Sequence, residues 1–237
     1  MPVTNTEGVR SSRDRVDSSR LSTAELLAGA LREVSVVDPD GPVPHLVALH
    51  ARPTREVFDV AVRLVACDNP AERELGVRIL RELGDHDVAG RRPFSREGIP
   101  LLIERLDREA DPRVLGWVIS ALGYNRAREA LRDVLRFVDH PHWRVRFHVA
   151  TALPSLVDEE RIEPRAAKAL QLLSRDDEAD TRYYALVALI EEASGVEREL
   201  ITRTLTDLLN DPDEQIRELV AAQLSDGSPK CGPRKSP

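Results

Sequence analysis

Between residues 68 and 225 the chain repeats itself, and no other feature limits its fold as much. Five segments share one shape: an acidic or polar turn, often with proline, then an Arg or Val pair, then a helix of small and apolar residues. They read DNPAERELGVRILRELG from Asp68, EADPRVLGWVISALG from Glu109, HPHWRVRFHVATALP from His140, DDEADTRYYALVALI from Asp176 and DPDEQIRELVAAQL from Asp211. Aligned on Leu83, Leu122, Leu153, Leu189 and Leu224, they recur at spacings of 39, 31, 36 and 35 residues, the range of a helical-hairpin repeat. A second amphipathic stretch precedes each one: Val57–Val65, Ile99–Leu106, Ala130–Val138, Ala166–Leu173 and Leu200–Leu209. Spacing of three and four puts Val145, Val149, Ala152 and Leu153 on one helical face, and does the same for Ile216, Leu219, Val220 and Leu224. Small residues such as Gly116, Ala121, Ala150 and Ala185 let neighbouring helices approach closely. No single hairpin can bury both of its faces, so such units are stable only when stacked.

Composition agrees with packed helices. Hydrophobic residues make up 41% and charged residues 32%, which excludes a wholly disordered chain. Aromatics at 4% are too few for a β-sandwich core. Ser22 and Glu25 have capping-box spacing ahead of the stripe Leu26, Leu27, Ala30 and Leu31, so order is expected to begin there. Asp38-Pro39-Asp40-Gly41-Pro42 separates that helix from the next helical stretch. The expected organisation is a disordered segment at 1–20, N-terminal capping helices at 21–53, a solenoid at 54–225 and a flexible tail at 226–237.

The net charge of −7 and the pI near 5.5 argue against a nonspecific nucleic-acid binder. Among the basic residues only Lys168, Lys230 and Lys235 are lysine, a bias expected of a high-GC coding sequence. Cys67 and Cys231 form neither a disulfide framework nor a zinc motif, which fits a reducing compartment. No apolar run approaches the roughly 20 residues of a membrane span, and the first residues lack the apolar core of a signal peptide. The expectation is a cytoplasmic protein with no membrane contact.

The pattern Asp-Pro-x-x-x-Val/Ile-Arg followed by Ala-x-x-Ala-Leu resembles HEAT repeats, in particular the bacterial HEAT-like repeats of phycobilisome-lyase type. It is clearest from His140 to Leu224; in the first two units Gly76 and Leu115 stand where the others have Arg146, Arg182 and Arg217. The stretch from Arg55 through Leu131 also resembles small actinobacterial HEAT-repeat proteins of unassigned function. The resemblance implies an all-α, right-handed superhelical solenoid of about five HEAT-like hairpins with an N-terminal helical cap. It also implies that each repeat arginine pairs with an acid at the start of its own helix, Asp176 and Asp211 in the last two units.

One local charge anomaly stands out. From Asn125 to His148, Arg126, Arg128, Arg132, Arg136, Arg144 and Arg146 outnumber Glu129, Asp133 and Asp139, with Tyr124, Trp143 and Phe147 interleaved. Arginine beside aromatics can anchor an acidic protein partner or stack on bases. Trp117 lies on the buried stripe and reads as core. Trp143 lies in the first turn of its helix and reads as a contact residue or as packing against the adjacent loop. Asp139-His140-Pro141-His142 and Asp85-His86-Asp87 hold metal-ligand types without a diagnostic spacing, so no metal and no cofactor is expected. No nucleophile elbow, P-loop or dinucleotide fingerprint occurs. These features point to a noncatalytic protein–protein interaction module, an adaptor or regulator. Its partner-binding residues would be Trp143, Arg144, Arg146, Arg128 and Arg132 on a concave, Arg-rich middle. It is expected to be a monomer or weakly self-associating. The competing class is a nucleic-acid-binding protein or an enzyme, related to HEAT-like alkylpurine DNA glycosylases or HEAT-repeat lyases. From Asp176 to Glu218, however, 13 acids face 4 bases, where a duplex gains nothing from counterion release.

Overall fold

A computed structural model describes residues 20–36, 41–158 and 160–225, and among these there are twelve α-helices and no strand. The segments expected to be unstructured, 1–20 and 226–237, lie outside the described residues apart from Arg20. Helices α1 (Thr23–Ser35) and α2 (Pro44–His50) precede five hairpins. These are α3 (Arg55–Val65) with α4 (Pro70–Glu82), α5 (Ser95–Arg108) with α6 (Pro112–Tyr124), and α7 (Leu131–Val134) with α8 (Trp143–Leu156). Helix α9 (Pro164–Leu173) pairs with α10 (Ala179–Val187), and α11 (Arg198–Asp207) with α12 (Glu214–Ser225). Ser22 and Glu25 form the expected capping box at the start of α1.

Side-chain caps start four of the five second helices, α10 being the exception. The side chains of Asn69, Asp111 and Asp213 accept backbone N–H bonds at 2.8–3.2 Å from the first turns of α4, α6 and α12. Pro70 and Pro112 occupy the first helical position, where a missing N–H costs nothing. At α8 an imidazole takes the capping role: His142 Nδ1 accepts from Arg144 N–H at 3.2 Å.

The second helices α4, α6, α8 and α10 pack side by side as one layer, with the first helices of the hairpins against them. One continuous core runs from Leu26 to Val220, and Leu75, Ile119, Leu153 and Leu170 in it are almost fully buried. Helices α6 and α8 approach closely because Gly116 and Gly123 lack side chains. A Cβ on Gly116 would lie 2.4 Å from the His148 ring, and one on Gly123 would lie 3.0 Å from Ala152 Cβ.

A ladder of arginines joins successive hairpins. Arg146 binds Asp176 through Nε and Nη2 at 2.5 and 2.8 Å, and Arg182 binds Asp211 in the same way at 2.8 Å. The Nη1 of each bonds the carbonyls six and five residues before it, which ties down its own turn. The acid therefore belongs to the next repeat, not to the start of the arginine's own helix as expected. The same test corrects the register of the first unit. Arg73, rather than the residue at Gly76, bonds the carbonyls of Cys67 and Asp68 with Nη1 and grips Glu109 with Nε and Nη2.

The matching positions are thus Arg73, Leu115, Arg146, Arg182 and Arg217, at spacings of 42, 31, 36 and 35 residues. The long first interval is taken up by the connection between α4 and α5. The short second one reflects the reduction of the third unit's first helix to α7, with 3₁₀ turns at Arg128–Ala130 and Leu135–Phe137. Between the second and third units the ladder is broken. Leu115 holds the arginine position, and His140 holds the acid position. His140 Nδ1 still accepts from His142 N–H at 3.1 Å, as Glu109, Asp176 and Asp211 accept from Asp111, Glu178 and Asp213.

Candidate functional site

At that broken rung, rings and guanidinium groups from four second helices form a continuous track. On α4, Arg78 lies over the Trp117 ring at 4.4 Å, and Arg81 lies over the Tyr124 ring at 3.5 Å and 5.5 Å from Trp117. Trp117 meets His148 of α8 at a centroid distance of 5.2 Å, and His148 meets Phe147 at 5.2 Å. Phe147 then meets Tyr184 of α10 edge-on at 5.4 Å, and Tyr184 meets Tyr183 at 5.5 Å. Tyr124 and Tyr184 are 44% and 42% exposed, so the track reaches solvent at both ends. Trp117 is half-buried rather than core, with the Arg78 guanidinium over its ring and the His148 imidazole tilted beside it.

Electrostatics hold the arginine end in place. Glu74, 2% exposed, receives Arg113 Nε at 2.6 Å and Arg78 Nη1 at 3.3 Å, and Arg113 Nη2 also bonds the Val34 carbonyl. Burial raises the Glu74 pKa, against the pull of Arg113 and Arg78. Burial likewise lowers the pKa of Arg78 and of Arg81, although Glu74 and Glu82 favour their charged forms. Arg81 is fastened by Ser120 Oγ at 3.0 Å and by a contact with Glu82. Burial thus weighs against both charges and their acidic neighbours support them. His148 is pushed down to about 3, first by burial and then by the nearby Arg81 and Arg144 charges, so its imidazole is neutral at pH 7.

The residues expected to bind a partner separate into three places. Trp143 is 37% exposed, with Arg144 stacked on it at 4.9 Å. Arg144 lies one helical turn before His148 on α8, which brings both residues beside the track. Arg146 is committed to the ladder, bidentate on Asp176, with its side chain only 16% exposed. Arg128 and Arg132 belong to the first helical segment of the third hairpin, where they line a separate groove with Arg136, Glu163 and Arg165. Arg128 also pairs with Asp158 at 3.5 Å. The expectation of one surface formed by all five is corrected: sequence proximity joined residues from the two helical segments of the hairpin, which face different places.

Sequence spacing alone reads Trp117 as core and does not single out Arg78 and Arg81, because they precede Trp117 by 39 and 36 residues, although their own helical spacing is a usable signal. The two candidate metal segments are turns. His140 and His142 serve as capping acceptors, and Asp87 accepts from Ala89 and Arg91 N–H while His86 Nε2 faces the Tyr124 carbonyl. Among the described residues no group of three or more His, Cys, Asp or Glu side chains is disposed to hold a metal. Nor is any helix there long and apolar enough to cross a membrane.

Comparison with known proteins agrees with this architecture. A family model described as HEAT repeats matches residues 99–191. The crystal structure of YibA from E. coli superposes with a TM-score of 0.67 at 16% identity, over 88% of this chain and 71% of that one. An engineered protein superposes at 0.57 and 18% identity, over 90% and 92% of the two chains. A designed armadillo repeat protein, solved in complex with the peptide (KR)4, superposes at 0.51 and 16% identity, over 86% and 100%. No curated protein matches the sequence.

Proposed function

We propose that this HEAT-repeat protein is a noncatalytic interaction module, an adaptor or regulator that binds another protein across the layer of second helices. The observation that carries the reading is the track from Tyr124 and Arg81 through Trp117 and His148 to Tyr184, with Trp143 and Arg144 beside it. Rigid aromatics and arginines are the residues most often responsible for binding energy at interfaces, because they bring large area at little conformational cost. Here they lie on consecutive rigid helices, so the surface needs little reorganisation to engage a partner. The partner chemistry that fits is an acidic segment with apolar anchors. Its carboxylates would meet Arg78, Arg81 and Arg144, and its apolar side chains would meet Trp117, Trp143 and Tyr184. The acidic run beyond Asp176 supports this protein-binding reading over a nucleic-acid one.

The test is affinity capture with the wild type beside a Trp143→Ala/Arg144→Ala variant and a Tyr184→Ala variant, each checked for native circular dichroism. A protein retained by wild type and lost by both folded variants is the expected result. Equal retention by all three removes the track as the contact surface.

A further inference from the structure

Among the described residues, the outer face of α12 has no further hairpin packed on it. Three positions on each second helix are the ladder residue and those four and seven places after it. In the first unit these are Arg73, Val77 and Leu80, at 9%, 0% and 6% exposure. Leu115, Ile119 and Leu122 are buried in the second unit, and Arg182, Leu186 and Leu189 in the fourth. In the third unit, Ala150 and Leu153 are buried and Arg146 is held by Asp176. In the fifth unit, Arg217, Ala221 and Leu224 are all exposed, Leu224 by 48%. Arg217 Nη1 bonds the carbonyls of Asp211 and Pro212 at 2.7 and 2.9 Å, as in every ladder arginine. Its Nε and Nη2, the atoms that grip the next repeat's acid elsewhere, have no partner among the described residues.

We propose that this end of α12 docks a helical hairpin of another protein, one that presents an Asp or Glu two residues before a helix N-cap, with apolar residues beside it. The filled rungs define that chemistry. Arg73–Glu109, Arg146–Asp176 and Arg182–Asp211 each join a fork to a carboxylate that also accepts the N–H two residues on. The occupant continues an interface already built from these parts, and Arg217 supplies the charge for it. Residues 226–237 do not meet the description, since DGSPKCGPRKSP contains no Val, Leu, Ile, Met or aromatic residue to cover Ala221 and Leu224. This surface is separate from the aromatic track and does not depend on it.

The experiment titrates the full 237-residue chain into one labelled probe, residues 160–225, and reads fluorescence anisotropy. The probe presents Asp176 and keeps two stacked hairpins with the Arg182–Asp211 rung between them, and its helicity is checked by circular dichroism. Saturable binding of the helical probe is expected. It should weaken at least tenfold with Arg217→Ala in the chain or with Asn at the probe's leading acid, and no further when both changes are combined. Trp143→Ala/Arg144→Ala should leave it unchanged. Failure of the helical probe to bind, or binding as tight as wild type by the Arg217→Ala and Leu224→Glu chains, would overturn the proposal. A concentration-dependent dimer by light scattering, abolished by Arg217→Ala, would assign the face to a second copy of this chain and overturn the assignment to another protein.

Discussion

The junction between the fourth and fifth units and the junction between the second and third do the same work by different means. The first relies on a bidentate ion pair, Arg182–Asp211, with side chains 9% and 4% exposed. Burial alone would raise the Asp211 pKa, but Arg182 and the Asp213 N–H outweigh it and leave the carboxyl below its ordinary value. Glu109 and Asp176 follow the same balance at their own rungs. The second junction has no such pair. Leu115 and His140 replace it, and α6 and α8 compensate by the close approach that Gly116 and Gly123 permit. A helical repeat therefore does not need its ladder at every step. Where the ladder is absent, the arginines of the preceding helix stack on aromatics at the surface, and the candidate site lies there.

The largest effect should come from breaking a filled rung. Arg182→Ala leaves Asp211 buried without its partner, and urea unfolding should show a loss of about 3–5 kcal/mol. Replacing both, Arg182→Met with Asp211→Leu, should recover most of that loss, because buried pairs often exchange for apolar ones at little cost. A full loss in the double variant would mean that the rung does more than satisfy charge.

A second cycle tests the broken junction. Leu115→Arg alone removes a leucine that is 3% exposed and introduces a buried charge, so about 3 kcal/mol should be lost. Adding His140→Asp should restore at least half of it by completing the rung. If the two effects simply add, the junction's geometry does not match the others.

The two regions should also differ in pH response. His148 binds a proton near pH 6.5 when unfolded but only near pH 3 when folded. The unfolded state therefore takes up more protons between those values, and stability falls as pH drops below about 6.5, by up to about 1.4 kcal/mol per unit. The ladder carboxyls are depressed in the fold, so their contribution is intact above the ordinary carboxylate range and is lost as pH falls below that range through their lowered values. Urea midpoints of His148→Phe should decline less steeply from pH 7 to 5 than those of wild type, with a residual slope from His50, whose imidazole is also held below its ordinary value by burial. Parallel curves would remove His148 as the cause. The smallest effect belongs to Tyr184→Ala, which should change stability by no more than about 0.5 kcal/mol, since the ring is 42% exposed. A larger loss in thermal denaturation would mark the track as structural rather than as a contact surface.

Much of the fold was legible in the sequence because it is written in local chemistry. Ser22 with Glu25 and the apolar stripe of Val145, Val149 and Leu153 act within a turn or two of helix, and each reads correctly from spacing alone. The register of the first unit was not legible. The connection after α4 lengthens the repeat, so alignment on Leu83 hides Arg73. Only its bonds to the carbonyls of Cys67 and Asp68 reveal the match. The site was legible in part: Trp143 and Arg144 are adjacent in sequence, whereas Arg78, Trp117, His148 and Tyr184 come from four separate helices.

By itself, then, the sequence determined that the chain forms stacked helical hairpins, because periodicity and capping act over a few residues. Tertiary structure alone decided which repeat each arginine grips, which aromatics meet, and which helix face is left open at α12. Those outcomes depend on distances between segments about 30 or more residues apart, and no local propensity encodes such distances.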